Sequence, residues 1–229
     1  MTTDITIIRA DRNALEAFLR THYVPRSPFP PDLVLQANIK GRPAGILAVS
    51  RPALNGAWRA FIHDSASARE RARQLNASLR TISRVIVAPH FRARGVATAL
   101  VRHYLDSPLT VHTEAIASMG YSSPFFERAG MRHVADLRSL RDARLKRTLD
   151  ESGVSLRDML RFCAMRELDP QSRIGEALVR WANDARATRI THRPDRSKMA
   201  TIATLAASRL IAPPRVYMHS LTESRSLAA

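Results

Sequence analysis

The 229-residue sequence predicts an α/β protein with a central mixed sheet and a helical stretch inserted late in the chain or appended to it. Three observations predict this. β-Branched runs bounded by turn residues recur up to residue 134, helical stripes separate them, and residues 138–210 show helical patterning with little strand signal. Hydrophobic residues make up 45% and charged residues 24%, enough apolar material for a full core. The length fits one large domain, or an ordinary domain carrying a sizeable insertion.

Residues 11–20 place Ala14, Leu15, Phe18 and Leu19 on one face of a helix behind an Asp11 or Asn13 cap. Residues 21–31 hold four prolines and read as an exposed loop carrying His22 and Tyr23. Residues 33–39 and 44–50 form a hairpin around a glycine-containing turn. Residues 55–62 begin a further segment, and 65–79 read as helix or loop. Residues 81–87 pack β-branched side chains into a strand that Pro89 stops, and a helix with Val96, Leu100 and Val101 along one stripe follows from Gly95. A buried-type strand at 109–114, a helical turn at 124–130 ended by glycine and a short strand at 131–134 come next. Helical patterns then occupy 156–168, 174–181 and 199–210, and 215–219 is the candidate final strand.

Lys and Arg together number 36 against 20 Asp and Glu, a formal charge of +16, and only Lys40, Lys146 and Lys198 are lysines. Such an excess favours polyanionic partners, with CoA, DNA and RNA all in scope. The single cysteine, Cys163, rules out an intramolecular disulfide or a cysteine-based zinc site and fits a reducing compartment. The seven histidines from His63 to His219 show no metal-ligand spacing, so no metal site is expected. No apolar run approaches a membrane span, and Met-Thr-Thr-Asp does not start like a signal peptide, so the expected location is cytoplasmic.

The chemistry concentrates in residues 85–97, Val-Ile-Val-Ala-Pro-His-Phe-Arg-Ala-Arg-Gly-Val-Ala. A strand runs into a loop of small and basic residues, and a helix starts there. Amides of Ala93, Arg94, Gly95, Val96 and Ala97 can close around an anion, and the helix N-terminus adds its positive end, an arrangement suited to a pyrophosphate. It is neither a Walker loop nor a three-glycine dinucleotide fingerprint.

Arg92, Gly95 and Ala97 resemble the Arg/Gln-x-x-Gly-x-Gly/Ala signature of the GNAT acyltransferases, and Pro124-Phe-Phe-Glu-Arg-Ala-Gly-Met131 resembles their second signature. The resemblance covers about residues 5–134. It implies a GNAT fold with two splayed strands, 81–87 and 109–114, and acetyl-CoA or another acyl-CoA lying between them. Pantetheine would pair with the backbone around Ile86 and Val87, with Phe126 beside the cofactor and the thioester near Glu114 and Tyr121. Residues 1–137 and 212–221 would form the core, with 138–211 an inserted lid.

The departures from the family pattern bear on the chemistry. Phe126 stands where many relatives have a proton-donating tyrosine, and the strand at 81–87 lacks the frequent glutamate base and offers Ser83 as its most suggestive polar group. His22 and Tyr23, with Glu114 and Tyr121, are the remaining acid and base candidates. A narrower likeness joins His22-Tyr23, residues 44–55, 82–87 and 113–126 to a divergent branch that includes ABC-ATPase-associated GNAT domains and, more remotely, the phage DNA-modifying protein Mom. It implies an amine or exocyclic amino group as acceptor, leaning to a nucleic acid base, and admits an ATPase partner; the alternatives are an N-acetyltransferase of a small amine or protein, or a catalytically silent GNAT-like domain that binds nucleic acid.

Overall fold

The computed structural model describes residues 4–20, 30–54, 56, 58–59, 67–164, 167–184 and 195–221. Within these, seven strands form one sheet in the order β1-β2-β3-β4-β5-β7-β6, and the chain divides into two compact units, 1–135 with 215–229 and 136–214.

In the first unit, β1 (Ile5–Arg9) pairs antiparallel with β2 (Pro31–Ile39), and β2 with β3 (Arg42–Ser50). The β2–β3 turn holds Lys40 at φ 50 and Gly41 at φ 72, the left-handed pair that matches strand twist in a two-residue hairpin. No strand is expected at 5–9 from the sequence, where the strand's slight burial leaves a weak apolar pattern. Helix α1 (Arg12–Leu19) is capped by Asp11, which accepts from the Ala14 amide at 2.9 Å, and it lays Leu15 against Val34, Ile46, Ala48 and Ile86. Helix α2 (Ala68–Ser78) leads into β4 (Leu79–Val87), which pairs antiparallel with β3.

Helix α3 (Val96–Asp106) buries Val96, Leu100, Val101, Tyr104 and Leu105 against the opposite face of the sheet. Gly45 sits beneath its first turn: a Cβ there would come within 2.8 Å of the Val96 side chain, so only glycine lets α3 approach β3 this closely. Strand β5 (His112–Ala117) runs parallel to β4; residues 109–111, expected to start it, lie outside the strand, which extends three residues further than expected. Helix α4 (Phe125–Arg128) and edge strand β6 (Arg132–Asp136) follow. Strand β7 (Arg215–Ser220) pairs antiparallel with β5 and lies between it and β6.

The second unit contains α5 (Leu140–Glu151), α6 (Leu156–Ala164), α7 (Arg173–Asn183) and α8 (Arg196–Ile211), and Leu137 donates its amide to Pro214 O at 2.7 Å where the two ends of the unit meet. Its own core includes Leu149, Met159, Leu178, Trp181, Met199 and Ala203. Cys163 belongs to that core, and burial pushes its thiol pKa up, which keeps it protonated and inert. Asp142 is the polar hub: it completes a capping box with Ser139, accepts from the Trp181 indole at 2.8 Å and faces Arg209 at 3.4 Å. Burial raises its pKa, but the bonds from Ser139 and Trp181 and the Arg209 charge outweigh that and hold it below the ordinary value.

Because the folded-state pKa of Asp142 is depressed, its stabilisation is complete above the ordinary carboxylate value and is lost as pH falls through the folded pKa, hence below about pH 4. Asp142→Ala leaves the Trp181 N–H and the helix start without their acceptor, and urea unfolding at pH 7 should show a loss of about 3 kcal/mol.

Candidate active site

Strand β4 ends at Val87, a 3₁₀ turn spans Pro89–Phe91, and the chain then passes through Ala93 at φ 60 and Gly95 at φ 80 before α3 begins at Val96. Ala93 and Lys40 are the two described non-glycine residues with positive φ. A left-handed alanine costs about 1–2 kcal/mol, and such strain is tolerated where a loop must aim its amides. Gly95 is the N-cap of α3 and has no side chain to satisfy the first-turn N–H groups, so these remain available to an anion. Arg92, Ala93, Arg94 and Gly95 are exposed, Ala97 is half-buried, and buried Val96 anchors the loop. Beside it lies a cavity of about 510 Å³ lined by Ile39, Lys40, Arg42, His90, Phe91 and Arg94, with no carboxylate in its wall. The Arg42 and Arg94 guanidinium carbons lie 5.9 and 5.8 Å from the Phe91 ring centre.

The loop stands at the open end of a fork. Strands β4 and β5 pair only from Leu79↔His112 to Ile82↔Ala115, after which β4 continues to Val87 without a partner on that side. Ser83 is the extra residue where the β3–β4 register shifts between Ala48 and Val49, a bulge that bends β4 at the parting. Its hydroxyl lies 2.9 Å from that of Ser50 and donates to Ala48 O at 3.2 Å. Beyond the bulge, Ile86 is buried toward α1 and Val87 packs against the α3-side core.

Glu114 is buried in the crotch of the fork. Arg59 donates to both its oxygens, from Nη2 to Oε1 at 2.7 Å and from Nε to Oε2 at 2.9 Å; Thr81 Oγ1 adds a bond to Oε1 at 2.7 Å and Trp58 Nε1 one to Oε2 at 3.1 Å. Four donors fill the acceptor sites of a carboxylate. Committed in this way, Glu114 ties β5 to Thr81 of β4 and to Trp58 and Arg59.

Tyr121 is exposed beneath the Arg215 guanidinium, 3.8 Å from its ring centre. Phe126 is buried and stacks on Tyr217 at 5.3 Å. The fully buried Tyr217 directs its hydroxyl to Gly120 O and Glu127 Oε1, each at 3.4 Å, and burial pushes its pKa up. A phenol therefore stands against the ring at position 126 although the signature itself lacks one. Trp58, Arg59, Ser50 and Tyr217 had no sequence signal as site residues, because their partners lie far away in the chain. His22 and Tyr23 lie outside the described residues. Among the described residues no group of three or more His, Cys, Asp or Glu could hold a metal, and no helix is long and apolar enough to cross a membrane.

No family model matches the chain, and no curated protein matches it. Neither comparison therefore supports the narrower likeness to ABC-ATPase-associated domains or Mom. Distant similarity is found among solved structures. The GNAT family N-acetyltransferase YhbS from Escherichia coli, in complex with CoA, is 17% identical over 58% of this chain and 71% of its own, with a TM-score of 0.38. A GNAT family acetyltransferase from Brucella melitensis in complex with acetyl-CoA is 16% identical over 57% and 84%, with a TM-score of 0.38. YncA, a putative acetyltransferase from Salmonella typhimurium with acetyl-CoA, is 16% identical over 60% and 85%, with a TM-score of 0.40.

Glu114→Ala strands the buried Arg59 charge and should cost about 3–5 kcal/mol in urea unfolding, whereas the paired change Arg59→Met with Glu114→Leu should recover most of that loss.

Proposed function

We propose that this chain is a GNAT-type acyltransferase that moves an acyl group from acyl-CoA to an amine. The observation that carries the reading is the continuity of the fork with the loop: an unpartnered strand edge from Ser83 to Val87 runs directly into the Ala93–Gly95 turns and the uncapped start of α3. That is the shape required by a ligand with an amide-bearing arm and a pyrophosphate. Amides of residues 93–97 would hold the pyrophosphate, the backbone at Ile86 and Val87 would pair with the arm, and the basic cavity beside the loop adds positive potential.

Bound there, the donor supplies a thioester carbon open to attack by the amine. The chain's own residues orient and exchange protons. Glu114, locked by Arg59 and Trp58, fixes the acceptor-side loop against β5 and acts by position. Tyr217 serves as the acid for the departing sulfur in place of a tyrosine at 126; its raised pKa keeps the phenol protonated at neutral pH. Ser83 and Tyr121 remain candidates for contact with the acceptor, and the +16 charge favours an amine carried on a polyanion, a nucleic acid base included.

A Cβ at Gly95 meets nothing of the protein within 4 Å, but φ +80 strains it and it would project into the space of the proposed anion. Gly95→Val should weaken acetyl-CoA binding by about 10-fold or more in calorimetry; equal affinity in the two proteins would refute the reading. Tyr217→Phe should lower kcat about 100-fold with little change in KM, and the wild-type activity, needing the protonated phenol, should decline only above about pH 10.

A further inference from the structure

Helix α5 repeats arginine at Arg141, Arg144 and Arg147, steps of roughly 4.5 Å along the axis. Helix α7 brings Arg180 to the same place, and together they line a groove of about 450 Å³ in which Asp184 is the sole acid. Arg141 is a fixed part of the wall: its guanidinium stacks 4.3 Å from the Trp181 ring centre and donates to Trp181 O at 3.0 Å. Arg144 reaches Asp184 only at 3.8 Å, with both side chains largely in water, a pairing that a stronger anion displaces readily. Arg147 and Arg180 are exposed and make no side-chain hydrogen bond or ion pair among the described residues.

Elsewhere in the same unit some cations are neutralised, while Arg138, Arg157 and Arg161 are exposed with no side-chain ion pair among the described residues. Lys146 is bonded to both oxygens of Asp150, and Arg173 pairs with Glu151. The groove keeps a row of guanidinium forks facing one loosely held carboxylate. Forks of this kind match phosphate oxygens bidentately, and their regular spacing suits an anion that repeats along a chain. We propose that the α5–α7 groove binds the phosphate backbone of a nucleic acid without reading its bases. The formal charge of +16 draws such a polymer in and makes the contact salt-dependent. The inference does not depend on the donor loop.

Fluorescence anisotropy with a 20-base-pair DNA duplex and a 20-nucleotide RNA, at salt from 50 to 200 mM, tests it on the full chain. Each lost phosphate contact removes about 0.9 from the slope of log K against log salt for duplex DNA and about 0.7 for a single strand. Arg144→Ala, Arg147→Ala and Arg180→Ala combined should therefore flatten the duplex slope by about 2.7. The three residues are exposed, so thermal melting should be unchanged, and replacing all three by lysine should retain most of the slope. Gly95→Val should bind nucleic acid like wild type, which separates this site from the donor loop. The proposal is overturned by a wild-type slope in the alanine variant, by no binding at 50 mM salt, or by polyglutamate displacing the duplex at equal charge.

Discussion

The pairing of β4 with β5 stops at Ile82 and Ala115, and the candidate site follows from that stop. Two parallel strands that remained hydrogen-bonded to their ends would leave no free edge and no opening before α3. The parting is reinforced from both sides. The Ser83 bulge turns β4 away, and the Glu114 carboxylate, one pair before the end of the ladder, is tied to Thr81 across it and to Arg59 and Trp58 beyond it. The ladder thus ends at a rivet and not at a frayed margin.

A rivet made of charges is a costly choice in a buried place. Desolvating a guanidinium and a carboxylate costs several kcal/mol per ion, and an apolar pair of similar volume would often be as stable. Four hydrogen bonds at fixed angles supply a register that apolar contact lacks, and the Arg59 bond to Ala53 O at 2.6 Å extends that register into the loop after β3. Asp142 plays a comparable part among the helices, where one carboxylate sets a helix start, an indole and a guanidinium at once.

The sequence made some of this legible. Residues 81–87 and the stripe Val96, Leu100, Val101 announce β4 and α3 because β-branching and helical spacing are local properties, and the small-residue loop between them is a backbone requirement written in side-chain size. What local pattern could not supply came from distant partners. Leu109 and Val111 suggest an earlier start for β5, whereas pairing with Leu79 begins only at His112. Arg59 and Trp58 precede Glu114 by more than fifty residues, and Tyr217 meets Phe126 across ninety, so no spacing rule announces either group.

Strand β7 lies inside the sheet, between β5 and β6, although it follows all the other strands in sequence. During synthesis the edge of β5 therefore waits for residues 215–220 until the whole segment 136–214 has been made. The helical unit has its own core, so it can fold in that interval, while the sheet depends on the pairing of β5 with a strand that follows the whole unit. Strand β7 covers the edge of β5, and the order of translation makes that pairing a late event in the life of the chain.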